Sequence, residues 1–136
     1  MAAFNKYNAG AESLVEGINA GSDTWRIILS NTAPDVTDVT QADASELTTS
    51  GGYTVNGNAC SITSSTQTGG TYKLVLASPS AWTGSGAGFT ARYAILWDQT
   101  ADKLVGWWDY GSSQLVAAGE TFTVTLDGTN GVFTVA

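Results

Sequence analysis

Apolar positions along this chain recur with two different periods, and the change of period divides it. Between residues 4 and 18, Phe4, Tyr7, Ala11, Leu14, Val15 and Ile18 return at spacings of three and four, while Glu12, Ser13 and Glu16 fall on the other side. That spacing predicts one short helix, with Asn5 or Asn8 capping its start and Gly17 or the run Asn19, Ala20, Gly21 ending it. Its apolar stripe is expected either to pack on a sheet or to swing out as an arm, because terminal segments are the least constrained part of a domain.

From Trp25 the period becomes two. Trp25, Ile27 and Leu29 share one face of a β-rich run, and a polar connection over 31–52 follows, with a helical turn expected near 42–47. Connections that long often carry contacts or function. Short strands are predicted at 53–55, 59–63 and 71–77, the last with Tyr72, Leu74 and Leu76 opposite Lys73 and Val75, and a brief extended piece at Trp82. In 89–98, Tyr93, Ile95 and Trp97 alternate with Ala94 and Leu96, so both faces are apolar, as in a central strand covered on both sides. A hairpin loop at 99–102 leads to a partner strand at 103–110. Further strands are predicted at 115–116 and 122–126, then a last hairpin marked by Asp127, Gly128, Asn130 and Gly131. The pattern predicts a mainly β fold: a single antiparallel β-sandwich or barrel, jelly-roll-like, with a short N-terminal α-helix. One domain covers 1–136, with a helix or arm over 1–21 and the sandwich over 22–136.

Composition narrows the function classes. The 136 residues include 12 acidic and 5 basic side chains, for a formal charge of -7, and only 12% are charged. Soluble domains usually carry roughly a quarter; here polarity comes from Thr, Ser, Asn and 16 glycines. Five scattered cations make no basic footprint, so neither nucleic acid nor an anionic membrane surface is expected as a partner. No apolar run nears the roughly 20 residues that span a bilayer, and residues 1–6 do not begin a secretory signal. The lone Cys60 is expected as a small buried side chain in a protein made in a reducing cytoplasm. The chain has no histidine, which removes Ser-His-Asp and Cys-His catalysis and the usual imidazole metal ligands.

The remaining candidates each have a plain structural alternative. Asp35, Asp38, Asp43 and Glu46 are oxygen donors of the kind Ca²⁺ prefers, but their spacing is not that of an EF-hand, and a solvated loop is the better reading. The glycine-rich stretch 84–88 lacks the Lys and Ser/Thr of a phosphate-binding loop and precedes a strand. Asp98, Asp102 and Asp109 lie near the ends of one hairpin, where paired carboxylates can cleave glycosides; Asp is equally at home in turns, and nothing in the sequence raises a pKa there. Arg92 is expected to pair with a nearby acid. The aromatic set Trp82, Trp97, Trp107, Trp108 and Tyr110 could stack on a sugar, but aromatic anchors serve core and subunit contacts more often. Neighbouring Trp107 and Trp108 must face opposite ways on a strand, and both are structural if both faces are covered. Trp82, Trp107, Trp108, Tyr110, Asp35 and Asp38 therefore form the candidate contact surface, with no catalytic residue, cofactor or metal assigned.

Several stretches also carry a resemblance: FNKY at 4–7, WRIILSNTAP at 25–34, GYT at 52–54, ARYAILWD at 91–98, GWWDYG at 106–111 and AGETF at 118–122. Together they resemble a family of short, largely uncharacterised virion structural proteins of tailed bacteriophages, over nearly the whole chain. The resemblance implies a non-enzymatic particle component, made in the host cytoplasm and located in the virion. The expected role is a capsid decoration or cement protein that binds the major capsid protein or other virion proteins, as a homo-oligomer. The alternative is a tail or fibre component: an adaptor, a tube subunit or a receptor for host sugar.

Overall fold

The computed structural model describes residues 2–136, so of the expected 1–21 segment Met1 lies outside the described residues. Ten strands and one helix follow in the order β1 (Phe4–Lys6), α1 (Asn8–Glu16), β2 (Trp25–Ser30), β3 (Asn58–Cys60), β4 (Ile62–Thr68), β5 (Thr71–Leu76), β6 (Trp82–Thr83), β7 (Phe89–Asp98), β8 (Lys103–Val116), β9 (Thr121–Phe122) and β10 (Phe133–Val135). The fold is mainly β, with antiparallel pairing throughout and one short helix near the N-terminus. Three open sheets, ordered β1-β8-β7-β2-β3, β10-β5-β4 and β6-β9, make a sandwich-like arrangement in place of the barrel alternative.

β7 is the central strand, as its alternation predicts. It pairs with β2 on one side and β8 on the other, and from Tyr93 to Asp98 every residue is buried. Residues facing the two smaller sheets (Trp25, Ile27, Leu29, Ala94 and Leu96) join Leu74, Leu76, Trp82, Phe122 and Val124 in the main core. The opposite face carries a second, smaller cluster of Tyr7, Ile28, Ile95, Trp97 and Leu104, with Ala44 and Trp107 packed on it. Two register shifts, between Ala91 and Tyr93 and between Leu96 and Trp97, interrupt the β7–β8 ladder. Extra residues at such bulges reverse the alternation, which is why Val105 and Trp108, three apart, both reach the main core.

Several local expectations need correction. Phe4 belongs to β1, paired with Trp108, and the helix begins only at Asn8, with Tyr7 as a cap that makes no side-chain hydrogen bond. The buried helical positions are Gly10 and Ser13, while Val15 is 83% exposed and Ala11 is exposed. A Cβ on Gly10 would lie 2.9 Å from the Val105 carbonyl, so its absence lets α1 approach β8 and sets which face turns inward. No strand forms at 53–55, where Tyr53 makes an isolated bridge to Ser50, and no helix forms at 42–47. The pieces at 103–110 and 115–116 are one strand, β8, continuous through Gly111. The final segment makes no hairpin with 122–126; β10 pairs with β5. Beyond Phe122 the alternation persists without strand pairing, with Val124 and Leu126 buried between exposed threonines.

The N-terminal segment packs on its own domain. β1 pairs with β8 through Phe4–Trp108, Asn5–Trp107 and Lys6–Gly106, and the Tyr7 amide donates to the Val105 carbonyl at 3.1 Å. A Cβ on Gly106 would fall 2.1 Å from the Phe4 ring, so glycine there is what admits Phe4.

Candidate contact surface

Each aromatic of the expected surface has a structural partner. Trp82 and Trp108 are 3% and 5% exposed, so they cannot serve as contact residues in the folded chain; Trp82 packs on Tyr53 and Phe122, and Trp108 on Phe4. The reason is that both faces of the five-stranded sheet are covered. Trp107 points the other way from Trp108, as strand geometry requires, and packs on Tyr7 in a tilted pair at a centroid distance of 4.7 Å. It is the one tryptophan of five that keeps partial exposure. Tyr110 is half-buried, edge-on to Phe122 at 5.3 Å, and burial raises its phenol pKa.

The segment 31–52 covers the outer sheet face with almost no regular structure. Backbone bonds hold it to the sheet and helix: Asn8 N–H to Val36 O, Leu104 N–H to Val39 O, and Leu47 N–H to Leu29 O, each 2.9 Å. Its carboxylates close its own turns. Asp35 accepts from the Thr37 amide and hydroxyl, and those bonds hold its pKa below the usual value. Asp38 accepts from the Asp35 amide. Asp43 accepts from the amides of Val39 and Thr40 and from the Thr40 hydroxyl, which lowers its pKa too. Among the described residues, no three Cys, Asp or Glu side chains gather where they could hold a metal ion.

Sequence reasoning missed the role of Glu46. One of its oxygens accepts from the Tyr53 hydroxyl and the Asn56 amide, both at 2.6 Å, and the other accepts from Gln41 Nε2. Tyr53 in turn accepts from the Leu29 amide at 3.1 Å, so the network fastens the end of 31–52 to β2. The isolated Tyr-Thr-Val run at 53–55 is the one local signal, and its pattern is that of a short strand. Arg92 and Asp109 do pair, through two bonds of 2.8 and 3.0 Å. Cys60 is buried, and burial pushes its thiol up to about 12.

Asp98 departs furthest from expectation. The last residue of β7 is fully buried, and burial first, then the neighbouring Asp23, raises its carboxyl to about 7. Asp102 remains a turn residue whose Oδ1 accepts from Trp97 Nε1 and the Gln41 amide. Asp98 does not line the three crevices beside α1 and along β4, β5 and β10. The largest of these, about 460 Å³, lies between the end of α1 and the β5 and β10 edge, lined by Leu14, Ile18, Tyr72, Phe133 and Val135.

What the fold defines is thus a β-sandwich-like domain whose larger sheet is sealed by strands on one face and by a wrapped loop together with Tyr7 on the other. Compared with protein-family models, with curated proteins and with solved structures, the chain finds no match in any of the three.

Proposed function

We propose that this chain is a non-enzymatic structural protein of a tailed-phage virion, most simply a capsid decoration or cement protein bound in many copies to the major capsid protein. The observation that carries the reading is how its reactive side chains are used. Four of five tryptophans are core, the acids of 31–52 close turns, and Arg92 is paired. What stays accessible is mostly uncharged polar surface, with exposed acids such as Glu12, Glu16 and Glu120 and separate apolar points at Val15, Val36, Val55, Leu115 and Val135. Such a surface suits protein contacts, which need no greater bulk hydrophobicity than other surface. On one flank the Asn8–Val36 bond and the tilted Tyr7–Trp107 ring pair gather Val36, Asp35, Asp38 and Trp107 around the start of α1; this flank is the contact we assign to the capsid. Among the described residues no helix is long and apolar enough to cross a membrane.

The test is reconstitution. Purified protein is expected to rebind heads from which it has been stripped, and Val36→Asp is expected to weaken that rebinding about tenfold or more, as burying an unpaired charge does. Binding to tails and not to heads rejects the cement reading. The receptor alternative rests on the partial exposure of Trp107. It requires the fluorescence of the free protein to shift with host polysaccharide, and a flat titration removes it.

A further inference from the structure

Two acids from distant parts of the chain meet at one end of the sandwich. Asp98 closes β7 with its side chain wholly buried. One of its oxygens accepts from the Ala101 amide at 2.9 Å, and the other, Oδ2, is buried without a hydrogen-bond partner. Asp23, in the turn before β2, stands beside this end of β7, two residues from Trp25, which pairs with Asp98 in the β2–β7 register, and its acid side chain helps raise the Asp98 carboxyl. A buried carboxyl with an unpartnered oxygen beside a second acid favours its protonated form, because two carboxylates are acceptors only and repel.

The other charged groups nearby do not neutralise the pair. Lys103 stands opposite Asp98 in the β7–β8 register but lines a crevice with Glu12 and Glu16 of α1. Asp102 is engaged by Trp97 and Gln41. On β2, Trp25 is the residue opposite, and its neighbour Arg26 donates to the carbonyls of Asn56 and Gly57. From β3, Cys60 is opposite Trp25 and its thiol is neutral at ordinary pH.

The pair sits where two turns are stitched together. Asp23 also accepts from the Asn19 amide at 2.8 Å. Beside it the Thr24 amide donates to the Thr100 hydroxyl, and the Gln99 amide to the Thr24 carbonyl, both at 2.9 Å. We propose that Asp98 holds a proton against Asp23 and so forms an acid-held latch, fastening the 19–24 turn to the β7–β8 hairpin and releasing it when the proton leaves to solvent. Release leaves two carboxylates side by side, one of them buried, and their repulsion opposes the stitching. This inference is independent of where the protein sits in a particle.

The sign follows from linkage. Asp98 is raised from 3.8 to about 7 in the folded chain. The stability it contributes is therefore fully present below its unfolded value and is lost as pH rises through about 7. The experiment is thermal unfolding of the full chain and of Asp98→Asn between pH 5.5 and 8.5, beside a carboxyl-carbon NMR titration of the unmodified protein. The expected result is a fall in Tm of about 5 °C or more across that window, absent in Asp98→Asn, with the Asp98 carboxyl titrating near neutrality and exchange of the Gln99 and Thr24 amides quickening above it. A Tm that stays level in the unmodified protein overturns the latch, as does an Asp98 carboxyl titrating near 4. If Asp98→Asn does not fold, the NMR titration alone decides. If millimolar Ca²⁺ or Mg²⁺ restores the Tm of the unmodified protein at pH 8.5, the pair holds a cation and the proton account fails.

Discussion

The two faces of the five-stranded sheet are closed by different means. On the inner face, β5, β6, β9 and the extended piece after Phe122 press alternating apolar side chains into one large cluster. On the outer face, five buried residues lie beneath chain that has almost no regular structure. Its cover is held by backbone bonds at Val36, Val39 and Leu47 and by carboxylate-closed turns at Asp35 and Asp43. Apolar area closes the first face, and hydrogen bonds close the second. A cover of the second kind can open locally without unfolding the core.

The sharpest break of this comparison comes from a matched pair of leucines, both essentially unexposed: Leu96 on the inner face and Leu104 on the outer. Leu96→Ala is expected to cost about 4–5 kcal/mol and Leu104→Ala about 2–3 kcal/mol, because a loop cover can sink into the cavity and a strand cover cannot. Denaturant unfolding measures both, and a reversed order contradicts the distinction. Next in size is Gly106→Ala, at about 1–3 kcal/mol, the range for inserting a methyl group into a filled space. There the new Cβ meets the Phe4 ring and the Asn5 carbonyl. Limited proteolysis should then cut within residues 2–16 while the sandwich survives; uniform digestion would mean that the N-terminal segment is integral to the core. Glu46→Gln should cost about 1–2 kcal/mol, since an amide cannot accept at both ends of the network, with faster exchange at the Asn56 amide as its signature.

The smallest effect belongs to Asp43→Ala: faster amide exchange at Val39 and Thr40 with little change in Tm. The pH dependence of this region has the opposite sign to that of Asp98. Asp35 and Asp43 have folded pKa values below 3.8, so what they contribute is present above that value and is lost as pH falls through their lowered pKa values. Acid should loosen the 31–52 cover, and alkali the Asp23–Asp98 end.

The same contrast explains what could be read from the chain. β2, β5 and β7 were legible because each alternates over six or more residues. The outer cover was not, because nothing local in 31–52 says which surface it will lie on; the loop's length alone marked it. Trp107 and Trp108 could be assigned to opposite faces from strand geometry, but their depth of burial depended on Tyr7 and Phe4, a hundred residues earlier in the chain. The bulges at Ala91/Tyr93 and Leu96/Trp97 left no trace in the alternation of β7 and shifted that of β8. Asp98 looked like any turn aspartate until β2 brought Asp23 beside it. The Arg92–Asp109 pair was anticipated because one cation stood in a strand among acids, with few alternatives to choose from.

The most direct test of the proposed virion role is a cryo-electron microscopy map of intact tailed-phage particles assembled in the presence of this protein. The account predicts many symmetry-related copies on the outer surface of the head, each meeting the shell through the flank of Val36, Asp35, Asp38 and Trp107. Density for this chain confined to the tail, or copies seated on the head through the β5 and β10 edge instead, would contradict it.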